Sequence, residues 1–135
     1  MALTVLTPIQ MRFADVDQFG HINNIALQEY FDLGKSDLFA ELWRRSKALE
    51  RVPAIVVKLQ TEFLKQLYYG DDLQVQTTLA AIGNKSLTLR QRILRGQEEC
   101  CRSEVVMVCF NRQQNQAIEV PDQWREFLSD ESEDR

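Results

Sequence analysis

The chain has 135 residues, of which 44% are hydrophobic and 27% are charged, and its formal net charge is −4. This size and composition predict a single globular domain over residues 1–128, with surface left for a second subunit to cover. The acidic balance argues against nonspecific nucleic-acid binding through a broad basic face. The apolar run 105–110 is far too short to span a membrane, and the N-terminus has no signal-peptide pattern.

Residues 129–135 are polar and acidic, and we expect them to form a frayed tail. The three cysteines, Cys100, Cys101 and Cys109, fall in one predicted strand. Adjacent strand residues point to opposite faces, so Cys100 and Cys101 are poorly placed to form a disulfide with each other. No cysteine or histidine spacing indicates zinc. We therefore expect reduced thiols, a cytoplasmic protein and no metal site.

The first predicted strand and the helix after it differ in hydrophobic period. Alternate apolar or β-branched residues run from Val5 to Phe13, which predicts a strand. From Ile25 to about Trp43 the apolar residues recur at helical spacing. They cover so much of the helix surface, Leu33 included, that we expect most sides to be buried.

Four runs with period two follow the helix, and glycine-containing breaks separate them. In the first run, one face is predicted to carry Pro53, Ile55, Val57, Leu59, Thr61 and Phe63. The last run, 101–111, is apolar on both faces, as in a central or interface strand. Pro121 then opens a short terminal helix. The pattern predicts an α+β fold, in which one antiparallel five-stranded sheet wraps around a long central helix.

The segment ADVDQFGHINN, residues 14–24, is too polar for a core, yet the long helix begins directly after it. Together with the preceding RF and the later YFDLGK, it resembles the opening of the hotdog-fold acyl-CoA thioesterases of the 4-hydroxybenzoyl-CoA thioesterase type. The later GNKS turn and the strand order also fit. Three helix positions, Asp32, Gly34 and Lys35, depart from the Glu, Ala and Arg that are commoner there.

The resemblance implies a hotdog fold and hydrolysis of acyl-CoA or acyl-carrier-protein thioesters, with coenzyme A as part of the substrate and no other cofactor. It also implies a homodimer or a dimer of such dimers, with active sites in clefts between protomers. A doubly apolar strand and an exposed sheet edge point the same way.

Asp17 is the predicted catalytic residue, as a nucleophile or as the general base for water. Unpaired amides at the helix start would polarise the thioester carbonyl, and Gly20 would let the backbone turn beside the ligand. The predicted substrate-binding and oxyanion residues are Gly20, His21, Asn23, Asn24 and Ile25.

Each of these residues also has a structural interpretation. Asp15 and Asp17 are common turn residues before a helix, and for Asp15 we favour a structural hydrogen-bonding role. For His21 we favour orientation or ligand contact over a capping role, and a capping role over proton transfer, and Asn23 or Asn24 suits the helix N-cap.

By the same resemblance, Val57, Lys58 and Gln60 of one protomer would line the pantetheine slot of the other. The GNKS turn offers Lys85 and Ser86 to the coenzyme A phosphates. The competing interpretation is ordinary solvated strand and turn surface, and it applies equally to Arg90 and Arg92.

Two other functions are open. An enoyl-thioester hydratase of this fold would have an Asp and a His one residue further apart than Asp17 and His21, and an Asn-Pro pair between them. A non-catalytic acyl-thioester binding module would share the fold without needing Asp17.

Overall fold

The computed structural model describes residues 2–46 and 51–128, so the predicted tail lies outside the described residues. The strands are β1 (Thr4–Pro8), β2 (Ala54–Phe63), β3 (Leu73–Ile82), β4 (Ser86–Arg95), β5 (Glu98–Asn111) and β6 (Gln116–Ala117). One long helix, α1, spans Asn24–Ser46, and two 3-10 helices span Phe13–Asp15 and Asp122–Leu128. Within those ranges, no helix has the length and hydropathy needed to cross a membrane.

The sheet is antiparallel throughout, in the order β1-β3-β4-β5-β2, and the two-residue β6 pairs with the end of β5. α1 packs on one face of this sheet, mainly against β1, β3 and β4. The fold predicted from the sequence is confirmed: a sheet of five antiparallel strands besides the two-residue β6, a long helix and a short C-terminal helix. β1 and β2 form the two edges.

The core contains two apolar clusters between α1 and the sheet. The first surrounds Leu38 and Leu42 and is closed by Trp124 of the C-terminal 3-10 helix, which is only 1% exposed. The second surrounds Tyr30 and Phe31, closer to the helix N-terminus. The second cluster is therefore the one that supports the loop before α1.

Gly34 allows α1 to approach the sheet closely. A Cβ atom placed on Gly34 would lie 2.6 Å from Thr77 Oγ1 and 2.6 Å from Val75 Cγ1, closer than such atoms can approach. The departure from the commoner alanine at this position therefore has a packing reason.

β1 is shorter than the sequence pattern predicts. It ends at Pro8, and Phe13 is 84% exposed in a 3-10 helix instead of lying in the strand. β1 pairs only with β3, which begins at Leu73, and the last bond of the pair joins the Ile9 amide to the Leu73 carbonyl. Beyond Ile9 the chain has no strand to pair with, whatever its side-chain period.

The predicted face of β2 is wrong at its start because the pairing register shifts between Val56 and Lys58. This bulge adds one residue and reverses the parity on either side of it. Leu59, Thr61 and Phe63 therefore share the helix-facing side with Val56, whereas Ile55 pairs with Val108 on the outer side.

The prediction that α1 is buried on most sides is also wrong. Ile25 and Leu33 are 68% and 53% exposed because α1 leaves a groove between itself and the edge strand β2. The apolar β2 residues are similarly open, namely Ile55, Val56, Val57, Leu59 and Phe63.

Candidate active site

The loop before α1 is folded around the side chain of Asp17. Its Oδ1 accepts hydrogen bonds from the backbone amides of Phe19 at 2.8 Å and His21 at 3.0 Å. The Asp17 amide in turn donates to the His21 carbonyl at 2.8 Å. Among the described residues, nothing donates a hydrogen bond to Oδ2. One oxygen of Asp17 therefore builds the turn, as in the structural interpretation, and the catalytic role of the other oxygen stays a prediction.

Gly20 makes this turn possible. Its φ is +83°, in the left-handed region, and no atom lies near the position that a Cβ would occupy. Because L side chains disfavour this backbone conformation, glycine lets the amides on either side of it converge on Asp17. Gly20 therefore shapes the loop, and its contact with a ligand stays a prediction.

The helix N-terminus opens directly beside this loop. Asn23 is the N-cap: its Oδ1 accepts from the Ala26 amide at 2.7 Å, and its carbonyl accepts from Leu27 at 3.2 Å. The amides of Asn24 and Ile25 find no acceptor within the described ranges. They lie in the first turn, where the helix dipole is positive, so they are suited to stabilise a developing oxyanion.

Asp15 anchors the start of the loop to α1. Its side chain is 1% exposed; Oδ2 accepts from the Tyr30 hydroxyl at 2.5 Å, and Oδ1 accepts from Arg12 Nε at 3.0 Å. Burial opposes ionisation, but the bonds from Tyr30 and Arg12 outweigh it, and the pKa of Asp15 is lowered. Burial and Asp15 raise the pKa of Tyr30, which stays a donor. The structure shows the hydrogen-bonding role that the sequence favoured for Asp15.

A cavity of about 330 Å³ lies beside Asp17, and His21, Asn24 and Leu27 also line it. Its opposite wall is the segment 63–67 at the end of β2 and after it. Sequence reasoning missed this wall, although the Ile22 amide bonds the Leu67 carbonyl and fixes the segment there. The only signal for this wall in the sequence was the pair of apolar residues Phe63 and Leu64 at the end of a predicted strand.

His21 borders the cavity but packs sideways against a tyrosine. The His21 and Tyr68 rings lie 5.2 Å apart at 70°, and their backbones form an isolated antiparallel bridge. Its amide, not its ring, contacts Asp17. This arrangement fits a positioning role, or ligand contact, better than proton relay to Asp17.

The predicted coenzyme A residues lie elsewhere in the chain. Val57, Lys58 and Gln60 are exposed on the edge strand β2. Lys85 and Ser86 lie at the β3–β4 turn, where the Lys85 carbonyl accepts from Cys109 at 3.0 Å. That turn is at the opposite end of the strands from Asp17, so one protomer does not bring these residues together.

The cysteines are unsuited to nucleophilic chemistry. All three are free and buried, and burial raises the pKa of Cys101 to about 12 and that of Cys109 to about 11. They remain protonated core residues at neutral pH.

The family model of the Thioesterase-like superfamily matches residues 11–128. The chain belongs to the thioesterase-like superfamily. Among curated proteins, it is similar to the uncharacterized protein YsmA of Bacillus subtilis, at 30% identity over 89% of this chain and 82% of that protein. It is also similar to the acyl-CoA thioester hydrolase YbgC of Escherichia coli O157:H7, at 24% identity over 77% of this chain and 80% of that protein.

Solved structures share the fold over nearly the full length. A predicted thioesterase from Bacillus stearothermophilus superposes with a TM-score of 0.81 at 29% identity, covering 93% of this chain and 94% of that one. A thioesterase from Thermus thermophilus, complexed with coenzyme A and zinc, gives 0.78 at 20% identity, covering 93% and 97%. An Asp-to-Asn variant of 4-hydroxybenzoyl-CoA thioesterase complexed with 4-hydroxybenzoyl-CoA gives 0.77 at 19%, covering 93% and 99%. The hotdog fold and the thioesterase class predicted from the sequence are confirmed.

Proposed function

We propose that this protein hydrolyses acyl-CoA thioesters to a carboxylic acid and free coenzyme A, with Asp17 as the catalytic carboxylate. The observation that carries the proposal is the single cavity that joins Asp17 to the open N-terminus of α1. Family membership supports the reaction class, and the hydrolase name of a relative supports coenzyme A thioesters. Acyl-carrier-protein thioesters present the same reacting group.

In this site Asp17 Oδ1 is held by two amides, so the carboxylate is oriented before substrate binds. Oδ2 either attacks the thioester carbonyl or takes a proton from the attacking water. Attack expels the coenzyme A thiolate and leaves a mixed anhydride on Asp17, which water then hydrolyses. If Asp17 acts as a general base, it takes a proton from water as the water attacks the thioester carbonyl and expels the thiolate. No covalent intermediate then forms on Asp17.

The amides of Asn24 and Ile25 would bind the carbonyl oxygen as it becomes negative. They belong to a helix start fixed by the Asn23 cap, so they need no reorganisation during the reaction. The other substrate contacts that we propose are Gly20, beside which the ligand passes, and His21 on the cavity wall.

A homodimer would bring the coenzyme A residues to this site. β2 begins at Ala54, beside Cys109 and the Lys85 turn, and ends at Phe63, beside Asp17. Antiparallel pairing of β2 with a second β2 would therefore place the partner subunit's Lys85 turn at the Asp17 end. Val57, Lys58 and Gln60 of the partner subunit would then reach the pantetheine arm, and the partner's Lys85 and Ser86 the phosphates.

The cytoplasm is the compartment that we propose, because the buried cysteines are free thiols. Coenzyme A enters as part of the substrate, and the proposed chemistry needs no further cofactor.

A panel of acyl-CoAs with short, long and aromatic acyl groups tests the reaction directly. We expect free thiol to appear with at least one of them, at a rate proportional to enzyme concentration. Calorimetric binding of the same acyl-CoAs without thiol release would contradict the proposal and identify a non-catalytic binding module instead.

Single turnover in oxygen-18 water distinguishes the two roles of Asp17. If the carboxylate attacks and water opens the anhydride at the Asp17 carbonyl, labelled oxygen enters Asp17, and mass spectrometry detects it in the peptide. General-base catalysis predicts label in the acid product alone.

A further inference from the structure

A row of polar side chains crosses the helix-facing side of the sheet. Thr77, Gln91, Ser103 and Thr61 lie opposite one another in register on β3, β4, β5 and β2. Thr77, Gln91 and Ser103 are 0%, 1% and 5% exposed, and the row lies between the two apolar clusters of the core. Burying polar groups has a cost unless they are hydrogen-bonded, so their partners show what the row holds together.

The row bonds to α1 at two places. Gln91 Nε2 donates to the Phe31 carbonyl at 2.6 Å and to Thr77 Oγ1 at 3.0 Å, where the helix already packs on β3 and β4. At the other end, Gln28 Nε2 donates to Thr61 Oγ1 at 2.8 Å, and Thr61 bonds Ser103 Oγ at 3.1 Å. This second contact, the Gln28–Thr61 bridge, spans the gap between α1 and the edge strand β2.

The bridge stands between two spaces that lie along β2. On the helix-facing side of this strand, Phe63 lines the cavity beside Asp17, Thr61 carries the bridge, and Leu59 lines the groove beyond it. The groove measures about 660 Å³ and has an apolar wall formed by residues such as Val56 and Val105. From Phe63 to the bridge is two residues, or about 7 Å along a strand.

We propose that the Gln28–Thr61 bridge ends the acyl site, so that the enzyme acts on short-chain acyl-CoA thioesters and excludes long ones. This inference rests on the proposed function and adds its substrate class. A short acyl chain reaches from Asp17 along the wall formed by Leu27 and Phe63 and stops before the bridge. Gln28 and Thr61 are thus specificity-determining residues.

A longer aliphatic chain meets an energetic barrier at this point. To enter the groove it must separate Gln28 from Thr61 and put methylene groups against both, leaving the Gln28 amide without its partner. Beyond the bridge, each further methylene group buried in the groove would increase the binding affinity by about fourfold. The bridge, and not a lack of space, sets the limit.

Two variants remove the hydrogen bond with little change of volume. Gln28→Leu leaves the Thr61–Ser103 bond in place, and Thr61→Val removes the hydroxyl itself. For wild type we expect kcat/KM to fall steeply from butyryl-CoA to decanoyl-CoA. In either variant we expect the decanoyl to butyryl ratio of kcat/KM to rise by at least about tenfold.

Gln76→Leu is the matched control. This change also removes one hydrogen bond, which Arg92 donates at 2.9 Å, but Gln76 does not line the groove. Its ratio should stay at the wild-type value. Having two bridge variants keeps the test decisive if one of them fails to fold.

Wild type that cleaves decanoyl-CoA as well as butyryl-CoA would overturn the bridge proposal. An unchanged decanoyl to butyryl ratio of kcat/KM in both variants would overturn it as well. If the variants change only the dimer dissociation constant, a second copy of the chain occupies the groove, and the bridge proposal is wrong. If wild type cleaves no acyl-CoA at all, the proposed function itself fails, and the bridge proposal with it.

Discussion

The two acids before α1, Asp15 and Asp17, differ in their surroundings: one is tied into the structure, and the other is available for chemistry. Asp15 is enclosed by Tyr30 and Arg12, whereas Asp17 lines a cavity and keeps one oxygen without a donor among the described residues. The structural role that the sequence favoured for Asp15 is observed, whereas catalysis by Asp17 was implied by the family resemblance and stays a prediction. The sequence could not predict Tyr30, since the hydroxyl of an apparently apolar helix residue gave no sign of its partner.

Tyr30→Phe should destabilise the fold without removing the reacting groups. The change deletes a hydrogen bond to a buried carboxylate, and we expect the free energy of unfolding to fall by about 2 kcal/mol. Urea denaturation measures this loss. An unchanged midpoint would contradict the anchoring role that we assign to Asp15.

The acid dependence of stability should weaken in Asp15→Asn. The native pKa of Asp15 lies below its ordinary value of 3.8, so its contribution is complete above that pH and is lost as pH falls through the native pKa. Below about pH 4, wild type should therefore lose stability more steeply than the variant. Hydrogen bonds, chiefly from Arg44 to Glu41 and from Lys65 to Glu98, lower the pKa of each of these carboxyl groups to about 2. Both groups are present in wild type and variant, so they contribute equally to the two curves. Parallel denaturation curves across this range would refute the assignment.

At the scale of the elements, hydrophobic period located the long helix and the strands β3, β4 and β5 well. It failed where pairing, not side-chain period, decides the structure. β1 stops because β3 offers no partner beyond Leu73, and the bulge before Lys58 reverses the predicted face of β2. The polar row through Gln91 depends on the register of four strands, which no local pattern contains.

Gly34→Ala tests how closely α1 lies on the sheet. Helix propensity alone would make alanine favourable by about 1 kcal/mol. The new methyl group would, however, collide with Thr77 and Val75, and overpacking of this kind costs about 1–3 kcal/mol. We expect a lower thermal midpoint for Gly34→Ala, while Ser36→Ala on the exposed side of the helix should leave it unchanged or slightly raised. A stabilised Gly34→Ala would show that the helix and the sheet are further apart.

At the scale of the whole molecule, the apolar edge strand β2 is the feature of a single protomer that points to a second subunit. We expect the protein to sediment at twice its chain mass of 15.7 kDa or a multiple of that value. Leu59 lies midway along β2 and is 50% exposed, so Leu59→Lys would bring like charges together near the twofold axis of an antiparallel β2 contact. Sedimentation equilibrium should then show the dimer weakened by at least about tenfold.

Gln74→Lys, an exposed position on β3, is the control for this experiment and should leave the dimer intact. A monomeric wild type would remove the proposed route by which Lys85 and Val57 reach the site. The doubly apolar strand that the sequence predicted to be central or at an interface is β5, and it is a central strand, inside the sheet next to β2.

The central claim is that the carboxylate of Asp17 performs thioester hydrolysis, and Asp17→Asn tests it most directly. The amide keeps an oxygen for the Phe19 and His21 amides, so the loop can fold while the carboxylate is lost. With the acyl-CoA that wild type cleaves best, we predict that kcat falls by at least about a hundredfold while coenzyme A binding and the thermal midpoint persist. Asp72→Asn, at an exposed position directly before β3, should remain at the wild-type rate. An Asp17→Asn enzyme that releases thiol as fast as wild type would contradict the account.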